Sequence, residues 1–428
     1  MRLASACDPG LIEMKKKFFY GWVIVFACML LAAASTGLLS YLNPLFVTPV
    51  TEELGISRAT FMVYQTFSTV ATIICMPLAS SIYKKVPMKR MLLIGTACGV
   101  ATHLCYSIAT NVAFFYLGGV LSGIATCLYG SIPIAILTTN WFWEKKGIAT
   151  GIAFAGTGVA SSLLSPVISN VIANYGWRTG YRLISLLILL IMIPAIFVLI
   201  RETPAQMGLL PLGKKETQVG PVEKLGFSQK QIFKTKSFWL MALGIFLLGS
   251  VTGPAQQQLV AYWIGEGNTP AFAASMYSVV MFVAIFTKIL LGGVYDHMSI
   301  TRGTVAVGAV SVASYVALLF FKEGYGILIP AALFGVTVSV QVLVSTYVIN
   351  RLFGDKEYAF IYSIMTPVLY GGVAVGSPLS AAIFDHFGNY YVLWIICAVV
   401  FAGAIAIAVA ADKYSQKEYQ KILGYVRE

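Results

Sequence analysis

The chain has 428 residues, of which 58% are hydrophobic and only 11% are charged, and its mean hydropathy is +0.81. A water-soluble protein of this length needs far more polar surface, so the composition excludes a soluble enzyme or binding protein and indicates a polytopic membrane protein. The formal net charge of +12 follows the membrane topology, and it needs no nucleic-acid partner to explain it.

Twelve apolar stretches are long enough to cross a bilayer, which takes roughly 20 predominantly apolar residues as a helix. The chain is therefore predicted to be all-α, with twelve transmembrane helices in two pseudo-symmetric six-helix bundles. These predicted helices are numbered as spans 1 to 12, and they cover residues 19–47, 59–82, 89–110, 112–139, 148–172, 181–200, 237–263, 271–295, 303–321, 325–349, 358–384 and 389–411.

The distribution of Lys and Arg predicts the orientation. Of the 29 Lys and Arg residues, 24 fall on the side of the N-terminus and one, Lys288, falls inside a span. Cytoplasmic segments carry an excess of Lys and Arg, so we expect both termini in the cytoplasm and place the chain in a plasma membrane, the bacterial inner membrane. The remaining four lie in predicted outer segments: Arg58, Arg178, Arg182 and Lys322.

A single long polar segment, residues 201–236, divides the chain into similar halves. The predicted domains are a cytoplasmic tail, a first bundle, a central loop, a second bundle and a second cytoplasmic tail, at residues 1–18, 19–200, 201–236, 237–411 and 412–428.

Sequence landmarks recur across the central loop at an offset of 210 to 212 residues. Parallel six-helix repeats are a transporter architecture in which the binding site lies near the bilayer midplane, where the halves meet. The paired landmarks are Asn140 with Asn350, Arg90 with Arg302, Pro166 with Pro378, and Gly176 with Gly388.

Lys288 stands out because it alone, of the 46 formally charged residues, lies well inside a predicted span. A charge at membrane depth costs ~3 kcal/mol on insertion scales, so it usually faces a partner, a cavity or a substrate. The spans contain no acidic residue to pair with it, and the repeat places Met76 at the equivalent position. A lone cation indicates a site for a small organic anion. The alternative interpretation is a lysine that snorkels to the cytoplasmic surface or binds backbone carbonyls.

Three local motifs carry a family resemblance. Residues 140–151 read Asn-Trp-Phe-Trp-Glu-Lys-Lys-Gly-Ile-Ala-Thr-Gly, residues 208–213 read Gly-Leu-Leu-Pro-Leu-Gly after Pro204, and Phe238-Trp239 follows Lys-Thr-Lys-Ser. In this order and at these helix boundaries, they resemble the monocarboxylate and oxalate/formate antiporter branches of the major facilitator superfamily. The resemblance extends over essentially the whole chain. It implies a membrane transporter that works by alternating access.

The resemblance also assigns roles to individual positions. In the resembling anion carriers, a basic residue four positions before a glycine of span 8 is the substrate or coupling cation, and Lys288 before Gly292 matches it. The family usually has Arg there, which grips a carboxylate bidentately, whereas Lys acts as a point charge. The gating Asp of the family matches Asp296, so we predict cytoplasmic gating by Asp296 and Arg302. In the first half Lys84 occupies the place of that Asp.

Two departures from the family affect the predicted mechanism. Ala284 stands where proton-coupled monocarboxylate carriers have an Asp, and Met365 stands where oxalate-type carriers have a second cation. The pattern therefore favours a monoanion, moved by facilitated diffusion or by exchange as in an antiporter. A proton symporter remains the alternative if Lys288 itself carries the coupling proton.

Spans 1, 4, 7 and 10 line the cavity in this fold, and their polar residues are predicted to bind substrate together with Lys288. Three consecutive glutamines, 256–258, cover about 200° of a helix, so at most two of them can face the cavity. An uncharged amide in a membrane helix can instead join neighbouring helices, which is the alternative interpretation. The predicted cavity residues are Tyr41, Asn43, Tyr129, Gln256, Gln257, Gln341 and Tyr347.

No pattern of catalytic residues is visible: the chain has no HExxH, no Gly-x-Ser-x-Gly and no intramembrane carboxylate pair. Its seven cysteines show no metal-binding spacing. We therefore predict a transporter of a small organic anion, foremost a monocarboxylate, and not an enzyme. We expect a monomer in the lipid bilayer without cofactor, metal or nucleic acid. The alternatives are an exporter of neutral or lipophilic small molecules and a transporter-like sensor.

Overall fold

The structure is a computed structural model that describes residues 19–83, 85–213, 227–343, 348–354 and 357–423. The described residues are predominantly helical. The α-helices, in chain order, are α1 (Gly21–Ala32), α2 (Val47–Leu54), α3 (Arg58–Ile82), α4 (Met88–Ser107), α5 (Val112–Tyr129), α6 (Ser131–Trp141), α7 (Lys146–Pro194), α8 (Gln229–Ile232), α9 (Lys236–Gly265), α10 (Pro270–His297), α11 (Ile300–Phe320), α12 (Leu328–Leu343), α13 (Ile349–Phe353), α14 (Tyr358–Phe387) and α15 (Tyr391–Leu423).

Nine of the described helical segments are long and apolar enough to cross a membrane. One of them, covering residues 146–199, is 54 residues long and changes direction at Gly176, so it contains both span 5 and span 6. Helix α4 of 20 residues and the shorter apolar helix Gly324–Val340 supply spans 3 and 10. The prediction of an all-α fold with twelve spans in two bundles is confirmed.

The repeat between the halves extends to backbone conformation. Gly176 joins spans 5 and 6 with φ 81° and ψ 160°, and Gly388 joins spans 11 and 12 with φ 69° and ψ 5°. Both conformations are ones that residues with a Cβ rarely adopt. The two glycines were paired from the sequence alone, and the structure gives both the same function of turning the chain between two spans.

Replacing Gly176 with Ala is expected to lower stability by ~1–3 kcal/mol, because φ and ψ there lie in a region that is essentially restricted to glycine. An added Cβ would meet no atom within 4 Å, so the cost arises from the backbone alone. Thermal unfolding in detergent measures it. Gly403→Ala, a helical glycine with equally open surroundings, is the matched control and is expected to be neutral or slightly stabilising. Equal melting temperatures for the two variants would contradict the strain argument.

Each half packs mainly on itself, and the halves meet along two equivalent helix pairs. Helix α3 contacts α14, and α7 contacts α10. These are spans 2 and 11 and spans 5 and 8, which the repeat relates to each other. The 3-10 segment Asn43–Phe46 of span 1 also contacts α9. Spans 1, 5, 7 and 8 therefore border the interface where a substrate site is expected.

Spans 1, 4 and 12 depart most clearly from their predicted form. Span 1 extends to Leu54 and is broken, because a π-helical segment Ala33–Leu38 and the 3-10 segment follow α1. Span 4 is broken at Gly130 (φ −93°, ψ −121°), and the last helix continues to Leu423, so the predicted tail 412–428 begins inside a helix. The broken part of span 1 contains Ser35, Thr36, Asn43 and Pro44, but the stretch is apolar enough on average to predict one continuous span.

Two of the motifs that carry the family resemblance pack against each other. The backbone N–H of Leu212 donates to the carbonyl of Trp141 at 2.9 Å, and the N–H of Trp143 donates to the carbonyl of Leu212 at 2.9 Å. The indole of Trp141 also donates to the carbonyl of Arg201 at 2.8 Å. The beginning of the central loop is thereby fixed to the end of span 4.

Candidate functional site

Lys288 forms a contact between the two halves of the protein. It lies on α10, is partly buried, and its Nζ donates to the hydroxyl of Thr157 on α7 at 3.0 Å. Thr157 is 3% exposed. Lys288 precedes the end of α10 at His297 by nine residues, which is ~13 Å along a helix. The charge therefore lies well inside the membrane span and at the interface between the bundles.

The ammonium of Lys288 has a neutral partner instead of an acidic one. The one ion pair among the described residues joins Arg178 to Glu53, so no described carboxylate neutralises Lys288. A hydroxyl accepts one hydrogen bond from the ammonium and does not neutralise its charge. Because a cation acts more strongly on anions in a low-dielectric interior than in water, this arrangement is suited to attracting an anion.

Glycines on both sides of Thr157 bring it to Lys288. A Cβ added to Gly158 would lie 2.6 Å from Cγ1 of Ile285 on α10, and one added to Gly156 would lie 2.1 Å from the Met29 carbonyl on α1. Helix α7 therefore approaches both α10 and span 1 more closely than larger residues permit. Thr157 was not among the residues predicted from the sequence. Its position between two glycines in an otherwise apolar helix was the available signal.

The structure brings two predicted cavity residues to the broken part of span 1. Asn43 is buried, and its Nδ2 donates to the carbonyl of Leu39 at 3.3 Å. Gln257 reaches the same stretch from α9, and its Nε2 donates to the carbonyl of Ser40 at 3.5 Å. Tyr41 lies between Ser40 and Asn43 in the chain and is half-buried. These residues thus meet where the first and second bundles touch.

The other two glutamines of α9 have partners in the second bundle. Nε2 of Gln256 donates to the hydroxyl of Tyr277 on α10 at 2.9 Å. The hydroxyl of Tyr390 donates to Oε1 of Gln258 at 3.0 Å. The three consecutive amides therefore face three directions, and Gln257 is the one bonded to the first bundle.

Tyr129 is enclosed in the first bundle. Its side chain is fully buried, and its hydroxyl donates to the carbonyl of Ala34 at 3.3 Å. A Cβ added to Gly99 would lie 2.6 Å from that hydroxyl. This packing connects the break of span 4 to the π-helical segment of span 1, and the binding role of Tyr129 stays a prediction.

Several predicted residues fall outside the described part of the chain. The side chains of Gln341 and Asp296 and the whole of Tyr347 lie outside the described residues. Arg302 is exposed in the first turn of α11, and its backbone N–H donates to the hydroxyl of Ser299 at 3.4 Å. The gating roles of Asp296 and Arg302 stay predictions.

The end of the interface opposite the central loop, which we call the outer end after the predicted orientation, holds contacts that the sequence did not predict. The carboxylate of Asp385, at the end of α14, accepts hydrogen bonds from the backbone N–H groups of Arg58 at 3.2 Å and Ala59 at 2.7 Å. The guanidinium of Arg58 lies 3.9 Å from the ring centre of Phe384 and also donates to the hydroxyl of Tyr390. The second bundle therefore caps the first helix turn of α3.

Proteins that are similar to this chain over most of its length include several monocarboxylate transporters. The chain is 22% identical to monocarboxylate transporter 3 of Gallus gallus, over 91% of this chain and 78% of that protein. It is 22% identical to monocarboxylate transporter 12 of Homo sapiens, over 88% of this chain and 78% of that protein. It is 23% identical to monocarboxylate transporter 11 of Mus musculus, over 89% of this chain and 84% of that protein.

Solved structures share the fold. The nucleoside transporter NupG superposes with a TM-score of 0.69 at 13% identity, covering 91% of this chain and 99% of that one. A bacterial homologue of the human lysosomal transporter Spinster superposes with a TM-score of 0.63 at 13% identity, covering 95% of this chain and 98% of that one. The sequence profile of the Major Facilitator Superfamily matches residues 25–340 and 259–423. Together with the twelve spans, this match shows that the chain is a multi-pass membrane transporter that belongs to the Major Facilitator Superfamily and resembles its monocarboxylate branch.

Proposed function

We propose that this protein carries a small organic anion, foremost a monocarboxylate, across the membrane, with Lys288 as the counter-charge of the anion. The observation that carries this proposal is the contact of Lys288 with Thr157 at 3.0 Å. A cation held at the bundle interface by a neutral hydroxyl is able to exchange that hydroxyl for a carboxylate, which is a stronger partner. The named monocarboxylate transporters among the relatives support the same substrate class.

The proposed mechanism is alternating access, in which residues 19–200 and 237–411 rock against each other and residues 201–236 connect them. Lys288 and Thr157 lie on opposite bundles, so the rocking changes the surroundings of the charge. We assign both termini to the cytoplasm from the distribution of Lys and Arg. Ala284 is buried and apolar one turn from Lys288, which favours exchange or facilitated diffusion over proton symport through a carboxylate.

A ligand panel tests the substrate class. Purified wild type and Lys288→Ala are heated in the presence of small carboxylates, sugars or lipophilic cations, because a ligand that binds the folded state raises its melting temperature. We expect one or a few carboxylates to stabilise the wild type by several degrees and to lose this effect in Lys288→Ala. At a ligand concentration 100 times Kd, the stabilisation is ~2.7 kcal/mol.

The surface variant Lys230→Ala is the control for loss of a positive charge, since Lys230 is exposed on α8. It is expected to respond to ligands as the wild type does. If neutral or lipophilic compounds stabilise the wild type and Lys288→Ala equally while carboxylates stabilise neither, the anion proposal is wrong and an exporter of neutral solutes takes its place. Counterflow of the stabilising compound in vesicles then separates a transporter from a sensor.

A further inference from the structure

A groove lies beside the first turns of α9, where the central loop meets span 7. Its volume is about 500 Å³, and it is lined by residues between Phe233 and Leu243 and by Tyr414 of α15. None of the residues predicted to bind substrate lines this groove. The proposed substrate site therefore does not account for it.

Two lysines give the groove a positive charge. The side chains of Lys234 and Lys236 are exposed, and neither forms an ion pair with a residue that the structure describes. The carboxylate of Glu418 on α15 accepts instead from the backbone N–H of Lys236 at 2.7 Å and from the hydroxyl of Ser237, so it caps the start of α9. Nζ of Lys236 lies 6.0 Å from the ring centre of Tyr414, at the limit of cation–π attraction. Both ammonium groups are therefore available to an anion.

The part of the groove that continues along the span is apolar. Trp239 is 61% exposed and Leu243 is 48% exposed, and because they are four residues apart they lie on one face of α9. Phe238, the other residue of the Phe238-Trp239 motif, is buried. The indole N–H of Trp239 donates to the carbonyl of Phe233 at 3.0 Å, which holds the chain before α9 against this face. Leu243 lies about 10 Å further along the helix than Lys236, so the groove is cationic at one end and apolar at the other.

The cationic end lies at the level expected for lipid headgroups. Span 7 is predicted to begin at residue 237 and span 12 to end at residue 411, so Lys236 and Tyr414 both lie just outside the hydrocarbon region. Trp and Tyr are enriched at that level because their rings are amphipathic. On the predicted cytoplasmic side, the leaflet contains anionic lipids that attract basic segments, and basic pockets between helices bind their headgroups.

We propose that this groove binds an anionic phospholipid, whose phosphate lies between Lys234 and Lys236 and whose acyl chain follows Trp239 and Leu243. A soluble phosphate would use the two lysines and leave the apolar face uncovered. A zwitterionic lipid would cover the apolar face but bring its own cation to the lysines. Of these three ligands, only the anionic phospholipid matches both ends of the groove. The proposal goes beyond the transport of a substrate and does not depend on Lys288.

Quenching of tryptophan fluorescence by brominated lipids tests the site. The purified protein is reconstituted in phosphatidylcholine bilayers that contain increasing mole fractions of phosphatidylglycerol or of phosphatidylcholine, each with bromine on its acyl chains. Each protein is also measured with the additional change Trp239→Phe, and the difference isolates the emission of Trp239 among the seven tryptophans. We expect brominated phosphatidylglycerol to quench Trp239 at a lower mole fraction than brominated phosphatidylcholine does.

Lys234→Gln and Lys236→Gln each remove one charge from an exposed side chain. A basic residue near an anionic lipid surface contributes about fivefold in affinity, so each variant is expected to weaken the preference for phosphatidylglycerol about fivefold and the double variant about 25-fold. The double variant of Lys85→Gln and Lys89→Gln is the matched control, because both lysines are exposed on the same predicted side of the membrane and neither lines the groove. It is expected to keep the wild-type preference, which separates a bound lipid from the general attraction of anionic lipids to a basic surface.

A preference that falls in the variants of Lys234 and Lys236 and persists in the control supports the lipid site. The proposal is overturned if the two brominated lipids quench Trp239 equally in the wild type, or if the control loses as much of the preference as the double variant of the groove. It is also overturned if inorganic phosphate abolishes the preference while sodium chloride of equal ionic strength does not, since the groove then takes soluble phosphate.

Discussion

Lys288→Ala is expected to reduce the affinity for the transported anion roughly 30- to 1000-fold, because removing one partner of a buried charge pair costs ~2–4 kcal/mol. The ammonium lies in the membrane span and donates to the hydroxyl of Thr157 at 3.0 Å. Its loss leaves the carboxylate without a counter-charge in a region of low dielectric. Exchange of labelled substrate in proteoliposomes measures the effect as a loss of transport at low substrate concentration.

Two further variants show which property of Lys288 matters. Lys288→Arg keeps the charge and is expected to retain transport, with an altered affinity because a guanidinium binds carboxylates bidentately. Thr157→Val removes the hydroxyl that the ammonium contacts and keeps the volume, so a change of about tenfold or less is expected for one neutral hydrogen bond. Wild-type exchange by Lys288→Ala, in protein that is folded and inserted, is the result that would falsify the charge assignment.

The sequence predicted Lys288 and not Thr157, and the two residues show why. A cation inside an apolar span is rare because it is costly, so one residue type at one position was enough to attract notice. A threonine in an apolar helix is common. Thr157 matters because Gly156 and Gly158 allow α7 to approach α10, with an added Cβ at Gly158 only 2.6 Å from Ile285. That approach depends on how α7 and α10 pack against each other, which the residues of neither helix show by themselves.

The same distinction applies to the fold. Hydropathy predicted the spans because each is a continuous apolar stretch, and the internal repeat correctly paired Gly176 with Gly388. The breaks in spans 1 and 4 were missed because hydropathy averaged over about 19 residues hides a few polar residues such as Ser35 and Asn43. Membrane helices tolerate such breaks where neighbouring helices satisfy the freed backbone groups. At the break of span 1 those neighbours include Gln257, which lies more than 200 residues away in the chain.

Asp385→Ala is expected to shift the protein toward a conformation that is open at the outer end. Its carboxylate accepts from the N–H groups of Arg58 and Ala59, while Ser57 accepts from the N–H of Thr60 at 3.1 Å. The first N–H groups of α3 are thus capped partly by its own bundle and partly by the other. Loss of a helix cap costs ~1–2 kcal/mol, which is about a 5- to 30-fold change in the equilibrium.

This cap differs from an ordinary one because it exists only while the outer ends of the bundles are together. Separation of α3 from α14 breaks the bonds to Asp385 and removes the guanidinium of Arg58 from the ring of Phe384, 3.9 Å away. Removal of Asp385 therefore weakens the closed state alone and leaves the open state unaffected, and the equilibrium must shift. Asp385→Asn is the matched control, since Asn is as good a helix cap as Asp.

Distances between spin labels on Glu52→Cys and Glu323→Cys, in a background without other cysteines, report the separation of the outer ends. Both positions are exposed and belong to opposite bundles. We expect a longer distance to gain population in Asp385→Ala, and Asp385→Asn to stay near the wild type. If the distribution in Asp385→Ala matches the wild type, the cap does not hold the outer end closed. If Asp385→Asn opens as fully as Asp385→Ala, the charge matters more than the cap, and Arg58 becomes the residue to test next.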